Sequence, residues 1–241
     1  MNRKVLVSDY DQTFYLSNED IEKNIQELKR FQDQGNIFVI ATGRSYYDLK
    51  SRKEQYGFQY DYAILNHGAT IIDKDNNILY NFTIKNETVS KLKPNLKLDK
   101  AVLYFCCSKL ESRLNFNNSD LTKIYIEYLD EVNISEINNY INTKYNDVIS
   151  YAIGRHVLEI VAKEVDKSKA IKILLNQINL NKSYTYTIGD GYNDLSMIRF
   201  AGLGIAMGNA QEPVKKAADY ITLSNEEDGV AEAIKKFCNQ Q

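Results

Sequence analysis

Short apolar runs alternate with amphipathic stretches over the first third of the chain. Residues 5–8, 37–41 and 62–65 are apolar and lack a helical period, so they predict buried strands. Residues 18–34 and 46–56 lie between these runs and predict helices, the first with an amphipathic pattern. Such alternation predicts parallel strands that are joined by helical crossovers.

The order of elements changes in the middle of the chain. Residues 70–73 and 78–83 flank a polar turn and predict a hairpin. From about residue 84 to 162 the order becomes helix, strand, strand, repeated, which predicts a separate α+β domain with an antiparallel sheet. The α/β alternation resumes at residue 163. We therefore expect an α/β fold, in which 1–83 and 163–241 form a Rossmann-like, doubly wound, mostly parallel sheet and 84–162 form an inserted α+β domain.

The predicted elements of the last two segments are as follows. The inserted segment contains a helix ending near Pro94, strands at 101–107 and 123–128, a helix at 135–145, and strands at 148–153 and 157–162. The last segment contains helices at 167–178, 193–200, 212–218 and 229–237, which alternate with strands at 184–188, 204–207 and 220–223.

Composition narrows the class of protein. A chain of 241 residues with a net charge of −2 can form one large or two small domains, and the charge balance points neither to nucleic acid nor to a membrane. No apolar stretch approaches the roughly 20 residues of a membrane helix, and the first strand begins too early for a signal peptide. Its three cysteines lack metal-ligand spacing. We expect a cytoplasmic protein, monomeric or homodimeric.

Two acidic pairs follow predicted strands that lie far apart in the sequence. Asp9 and Asp11 come after the first strand, and Asp190 and Asp194 come after the strand that ends near Ile188. Ligands of open α/β sheets bind beyond the carboxyl ends of the strands. Clustered carboxylates repel one another unless a hard cation such as Mg²⁺ joins them, and Mg²⁺ usually keeps a substrate phosphate in its coordination shell. The pattern favours phosphate chemistry at a metal site.

Two other interpretations of the first acidic pair exist. The sequence Asp-x-Asp-x-Thr also begins a calcium-binding loop, but that loop needs glycine where Phe14 stands and a helix where the chain has a strand. A solvated acidic turn remains an alternative.

A second polar turn follows the strand at 37–41. Thr42-Gly43-Arg44 provides a hydroxyl and unobstructed backbone amides just before a helix, as a phosphate-binding loop requires. The alternative is an ordinary strand-to-helix turn that is capped by Thr42 or Ser45.

Taken together, these motifs resemble a known family. Asp9-Tyr10-Asp11-Gln12-Thr13, Thr42-Gly43-Arg44, Lys167 at the start of a helix, and the segment 189–194 (GDGYND) are similar to the four ordered motifs of the haloacid dehalogenase superfamily. The stretch 203–222 resembles the C-terminal part of its Cof-type phosphatases. Gln12 and Ser168 stand where that family commonly has glycine. The inserted domain resembles a compact type IIB cap by the order of its elements.

The resemblance implies a role for each acidic residue. Asp9 would be the nucleophile that attacks phosphorus and forms an aspartyl-phosphate. Asp11 would protonate the leaving oxygen and then deprotonate water. Mg²⁺ would be held by the Asp9 carboxylate, the Asp11 backbone carbonyl and Asp190, with Asp194 as a ligand or as support for one.

It also implies which residues bind the phosphate and the rest of the substrate. Thr42, Gly43, Lys167 and Asn193 would hold phosphate oxygens, and Lys169 is the main rival to Lys167. Three further residues could set substrate specificity, each with a structural alternative: Arg44 as a cap, His67 as a turn residue beside Gly68, and Arg155 as the solvated tip of a hairpin.

The function implied is that of a Mg²⁺-dependent phosphatase acting on a small phosphorylated metabolite, either a sugar phosphate or a cofactor phosphate. A phosphotransferase or phosphomutase would share the same core residues. A non-catalytic module that binds metabolites would need neither the nucleophile Asp9 nor the acid Asp11.

Overall fold

The N-terminal segment builds one half of a large sheet. The computed structural model describes residues 3–15 and 21–238. In the N-terminal segment the strands and helices are β1 (Val5–Ser8), α1 (Glu22–Asp33), β2 (Ile37–Ala41), α2 (Tyr46–Tyr56), β3 (Tyr62–Leu65), β4 (Thr70–Asp73) and β5 (Ile78–Asn81). Of the predicted helix 18–34, positions 18–20 lie outside the described residues. The predicted hairpin is present, because β4 and β5 pair antiparallel.

A second sheet follows. Its elements are α3 (Asn86–Leu92), β6 (Ala101–Ser108), β7 (Glu111–Leu114), β8 (Lys123–Tyr128), α4 (Ile134–Lys144), β9 (Val148–Ile153) and β10 (Val157–Ala162). The strand order is β7-β6-β8-β10-β9, and every neighbouring pair is antiparallel, as the sequence predicts.

The predicted repeat of helix, strand, strand is wrong in its first half, because three strands, β6, β7 and β8, lie between α3 and α4. The four residues Glu-Ser-Arg-Leu have no continuous apolar run, and β7 lies at the edge of its sheet, where one side needs no partner strand. The turn that precedes it places Lys109 at a φ of 52°. A short polar edge strand leaves little hydrophobic signal, which is why the sequence pattern missed it.

The C-terminal segment completes the first sheet. Its elements are α5 (Lys167–Gln177), β11 (Thr185–Gly189), α6 (Leu195–Phe200), β12 (Leu203–Ala206), α7 (Glu212–Ala217), β13 (Tyr220–Ile221) and α8 (Gly229–Ala233), which a wider turn extends over Ile234–Cys238. The strand order is β13-β12-β11-β1-β2-β3-β4-β5, parallel except at β4 and β5.

Helices cover both faces of this sheet, because successive side chains of a strand point to opposite sides. Leu6 of β1 belongs to the same buried cluster as Phe31 of α1. Its neighbour Val7 belongs to the cluster on the other face, which includes Ile171 of α5. The predicted α/β fold, a parallel-dominated sheet with an additional antiparallel sheet, is confirmed.

The position of β1 in the sheet determines where the motifs meet. Strand β1 pairs in parallel with β2 on one side and with β11 on the other, although β11 comes much later in the chain. The register places Ser8 opposite Ile188, so Asp9 lies beside the end of β11. This is the point at which the strand order reverses, and open α/β sheets bind their ligands there.

Among the described residues, no helix has both the length and the apolar character that crossing a membrane would require.

Candidate active site

Three carboxylates converge beyond the ends of β1 and β11. Asp9, Asp190 and Asp194 each have an oxygen within 4.8 Å of the others. Asp9 directly follows β1, Asp190 directly follows β11, and Asp194 lies on the single helical turn after it. Oxygen ligands at this separation suit a hard cation such as Mg²⁺. The residues present therefore fit a divalent metal ion.

Lys167 joins this acidic cluster from the first turn of α5. Its Nζ donates hydrogen bonds of 2.6 Å to Asp9 Oδ1 and to Asp194 Oδ1, and the side chain is 1% exposed. The helix start is fixed by Asp166, whose carboxylate accepts the Ser168 N–H at 2.8 Å. Lys169 instead points away and donates to the Glu164 carbonyl at 3.2 Å. Of the two rival lysines, Lys167 is the one beside the carboxylates.

The cluster carries more negative charge than Lys167 neutralises. Burial raises the pKa of Asp9 well above its usual value, and the Asp194 carboxylate adds to this, although Lys167 opposes it. Burial raises the pKa of Asp190 to about 6, even though its hydrogen bond from Thr13 acts in the other direction. Burial disfavours the charged form of Lys167, but the two carboxylates outweigh it and raise the pKa of the ammonium. Additional positive charge would stabilise this arrangement.

Asp194 anchors the loop after β11. Its Oδ2 accepts the backbone N–H groups of Asp190 and Gly191 at 3.1 and 3.0 Å, while Oδ1 accepts from Lys167. Gly189 has no room for a side chain, because an added Cβ would lie 2.6 Å from the Asp194 side chain. Both oxygens of Asp194 thus accept hydrogen bonds, and together they fix the loop that carries Asp190.

Asp11 lies apart from the three clustered carboxylates. Its carboxylate accepts from the Arg44 guanidinium, at 2.9 Å from Nε and 2.7 Å from Nη2, and its side chain is 46% exposed. Arg44 also covers the Tyr10 ring, with its guanidinium carbon 5.4 Å from the ring centre. Arg44 therefore holds Asp11 at the edge of the cavity described below. This ion pair explains the position of Arg44 without a contact to substrate.

Gln12 shows why glycine is common at its position. Its φ of 60° lies in the left-handed region, where a side chain costs free energy. Asn209 donates to the Gln12 carbonyl at 3.0 Å, and Asn225 donates to the Gln12 side chain at 3.3 Å. These contacts hold the turn between Asp11 and Thr13 in spite of the substitution.

The turn after β2 lies next to Asp9. Thr42 is fully buried, and its Oγ1 accepts the Arg44 N–H at 3.1 Å. Ser45 caps α2 by accepting the Asp48 N–H at 3.3 Å. The turn therefore contains an ordinary helix cap, while Gly43 itself lines the cavity beside the acidic cluster.

A cavity of about 650 Å³ opens over the acidic cluster, between the two sheets. Asp9, Asp11, Gly43, Asp190 and Asn193 line its base. The second sheet supplies the opposite wall, which includes Phe105, Arg113, Lys123, Tyr125, Tyr151 and Glu159. The cavity can enclose a small molecule with an anionic group at the acidic end once a cation is bound.

Comparison with known proteins identifies the family. A family model described as haloacid dehalogenase-like hydrolase matches residues 6–112 and 107–234. The chain belongs to the haloacid dehalogenase-like hydrolases. The family that the motifs predict is thereby confirmed.

Individual relatives match this chain over almost its whole length. A solved haloacid dehalogenase-like hydrolase from Bacteroides thetaiotaomicron is 30% identical, with a TM-score of 0.84 over 98% of this chain and 99% of that one. A solved subclass IIB sugar phosphatase shares the fold at 24% identity, with a TM-score of 0.78 over 97% and 98% of the two chains. The 5-amino-6-(5-phospho-D-ribitylamino)uracil phosphatase YcsE of Bacillus subtilis is 25% identical over 97% of this chain and 95% of its own. These matches support the predicted enzyme class, a phosphoric monoester hydrolase.

Of the three residues predicted to set specificity in this haloacid dehalogenase-like hydrolase, two line the cavity and one does not. His67 lines the cavity and is 5% exposed, and Arg44 lines it while holding Asp11. Arg155 is exposed at the β9–β10 turn and does not line the cavity, although its neighbour Gly154 does.

Sequence analysis missed two charged residues of the second sheet: Glu159, which contacts His67, and Lys123, which contacts Glu159. Glu159 Oε2 lies 2.6 Å from His67 Nε2, and Lys123 Nζ donates to Glu159 Oε1 at 2.7 Å. A signal was present, since Glu159 interrupts the otherwise apolar run Val-Leu-Glu-Ile-Val of β10. A lone carboxylate in a buried strand requires a partner.

Proposed function

We propose that this protein is a Mg²⁺-dependent phosphatase that hydrolyses a small phosphorylated metabolite, a sugar phosphate or a cofactor phosphate, through an aspartyl-phosphate. The observation that carries this proposal is the convergence of Asp9, Asp190 and Asp194, with Lys167 bound among them, below a cavity that Asp9 and Asp190 line. A carboxylate nucleophile, a cation site and a buried lysine at one point are what phosphoryl transfer needs.

Each residue has a chemical task in the proposed reaction. Asp9 forms a bond from a carboxylate oxygen to phosphorus while the bond from phosphorus to the ester oxygen breaks. Asp11, in its protonated form, gives a proton to the departing oxygen and later takes one from the water that hydrolyses the aspartyl-phosphate.

The other groups stabilise charge on the transferring phosphoryl group. Thr42 and the Gly43 amide donate hydrogen bonds to its oxygens, assisted by Lys167 and Asn193. Mg²⁺, held by the Asp9 carboxylate, the Asp11 backbone carbonyl and Asp190, would neutralise the phosphate so that an anionic nucleophile can approach. Asp194 supports the loop that carries Asp190.

Residues 84–162 act in this proposal as a cap over the core formed by residues 1–83 and 163–241. Enclosure by the cap excludes water while the phosphoryl group is transferred. The substrate class is supported by the size of the cavity and by the subclass IIB sugar phosphatase that shares the fold.

Phosphate release from a panel of phosphosugars, nucleotides and cofactor phosphates tests the proposal. We expect release by the wild type with Mg²⁺, and none with a chelator or in Asp9→Asn. Asp75→Asn, an equivalent change in the exposed β4–β5 turn, is the control and should retain full activity. Transfer of phosphate to a second hydroxyl compound without release would instead identify a phosphotransferase. Activity that persists in Asp9→Asn would contradict the proposed nucleophile.

A further inference from the structure

Three buried ionisable side chains join the two sheets beside the cavity. We call Lys123, Glu159 and His67 the interdomain cluster; they are 2%, 6% and 5% exposed, respectively. Lys123 and Glu159 belong to β8 and β10 of the second sheet, whereas His67 follows β3 of the first. The His67 ring also stacks on Tyr151 of β9, with ring centres 4.9 Å apart.

Stability alone gives a weak account of this cluster. Removing charges from water is costly, and apolar side chains of similar volume often stabilise a buried site at least as well. Other lysines of the same segment form their ion pairs at the surface, for example Lys91 with Glu87 and Lys100 with Glu131. The burial of Lys123 is therefore better explained by a functional role than by stability.

The role of Lys123 follows from its contact with the turn after β2. Lys123 Nζ donates a 2.7 Å hydrogen bond to the carbonyl oxygen of Gly43. That carbonyl belongs to the same peptide group as the Arg44 N–H, which donates to Thr42 Oγ1 at 3.1 Å. A hydroxyl oxygen can accept this hydrogen bond and still donate its own hydrogen, so the contact is compatible with donation from Thr42 to a phosphate oxygen.

His67 and Glu159 complete the support of the same turn. A Cβ added at Gly43 would lie 2.5 Å from His67 Cε1, so the imidazole packs directly on the Gly43 backbone. Glu159 binds both Lys123 and His67 through its two oxygens and so fixes their relative positions. The turn is thus held by a hydrogen bond to its carbonyl and by a ring against its backbone.

We infer that Lys123 is a positioning residue, through which the second sheet orients the phosphate-binding turn formed by Thr42 and Gly43. The inference rests on the proposed function, since it assumes that this turn binds phosphate. On this inference, the contact between Lys123 of β8 and the Gly43 carbonyl holds the turn in the conformation that binds phosphate.

Binding of inorganic phosphate, measured by calorimetry on the full chain with Mg²⁺, tests the inference without turnover. We expect Lys123→Met to weaken phosphate binding about tenfold, the size of effect expected from one lost charge-assisted hydrogen bond. Lys91→Met makes the same change in an exposed pair of the second domain and should bind phosphate as the wild type does.

A double variant separates positioning from stability. Lys123→Met leaves Glu159 buried beside His67 alone, so its melting temperature should fall. Adding Glu159→Gln removes that charge, and we expect stability to recover while phosphate binding remains weak. A double variant that is stable and binds phosphate like the wild type would overturn the inference.

The outcome is distinguishable from failure of the proposed function. A wild type that binds phosphate with Mg²⁺ but releases none from any ester would contradict the phosphatase proposal and leave the role of Lys123 testable by binding. If esters are hydrolysed, Lys123→Met should lower kcat for a small ester such as p-nitrophenyl phosphate as well as weaken the binding of inorganic phosphate.

Discussion

At the scale of single residues, the site depends on charges that are buried next to one another. Lys167 contacts two carboxylates at 2.6 Å each, and all three side chains are almost inaccessible to solvent. In such surroundings an unpaired charge is costly, so each group fixes its neighbours in place. The same condition explains why Asp190 retains its proton to a higher pH than an exposed aspartate.

Replacement of Lys167 should lower kcat strongly, whereas replacement of Lys169 should not. Lys167→Met takes away the cation beside Asp9, so we expect kcat to fall by about 10²-fold to 10³-fold, as when a stabilising donor is lost from other active sites. Lys169→Met is the matched control, because that exposed side chain donates to the Glu164 carbonyl and, within residues 3–15 and 21–238, hydrogen-bonds to none of the clustered carboxylates. Steady-state kinetics on the best ester of the panel measure both. Equal losses in the two variants would contradict the assignment of Lys167.

Binding of Mg²⁺ should strengthen as the pH rises through about 6, the pKa of Asp190. This acid has a raised pKa in the folded protein, so without metal the stability falls as the pH rises from 3.8 toward 6. A cation must displace the proton below that pH but finds a free carboxylate above it. We expect the rise in melting temperature caused by Mg²⁺ to be larger at about pH 7.5 than at about pH 5.

The control for this pH dependence is Asp190→Asn. That variant lacks the titrating group, so the difference between the two pH values should shrink. A wild type whose melting temperature responds equally to Mg²⁺ at both pH values would contradict the prediction.

At the scale of elements, the site is assembled by three strand ends and one helix start. The parallel register of β1 with β2 and β11 places their carboxyl ends side by side, so the turns that follow them become neighbours. Helix α5 begins at the same edge of the sheet and brings Lys167 in its first turn. The precision of the site therefore depends on how these ends are capped.

Loss of the cap of α5 should affect both stability and catalysis. Asp166→Ala removes the acceptor for the Ser168 N–H, which costs about 1 kcal/mol of unfolding free energy, or roughly 2 to 4 °C in melting temperature for a chain of this size. Because Lys167 is the next residue, kcat should fall as well. Asn181→Ala removes a side-chain cap from the turn directly before β11 and should lower stability alone. Unchanged kcat in Asp166→Ala would contradict the positioning role of this helix start.

At the scale of the whole molecule, a cavity of about 650 Å³ opens between the two sheets. The wall between them includes polar contacts that cross from one sheet to the other, such as Asn66 to Thr122 at 3.2 Å and Lys123 to Gly43 at 2.7 Å. These contacts lie beside the proposed phosphate site. Gly43 and Lys123 thus both line the cavity and join the two sheets.

Acid should weaken this junction. Burial alone would raise the pKa of Glu159, but Lys123 and His67 outweigh it and lower the pKa to about 2 from an ordinary value of 4.5. The stability that this carboxylate contributes is therefore complete above pH 4.5 and is lost as the pH falls toward 2.

Melting temperatures between neutral pH and about pH 3 measure this effect. The wild type should be more stable than Glu159→Gln near neutral pH, and the difference should narrow as the pH falls below 4.5. Glu131→Gln, which alters an exposed partner of Lys100, is the control and should show little difference at any pH. A gap between wild type and Glu159→Gln that does not narrow would contradict the role given to the charge.

Much of this protein follows from its sequence. Apolar runs such as 37–41 and 157–162 cannot remain in water, so they specify buried strands, and the residues at their ends lie at the edge of a sheet. The family follows from four ordered motifs. The polar edge strand Glu111–Leu114 was missed, because it has little apolar surface to bury.

Which side chains meet was decided only by the tertiary structure. The local sequence favours Lys167 at a helix start but leaves Lys169 as a rival, and it does not relate Lys123 to Gly43, because these contacts depend on how distant segments pack. The sequence by itself determined which segments had to be buried and which residue types stood at their ends. The fold decided which charges would share a buried site, since a charge can be buried only where packing supplies its partner.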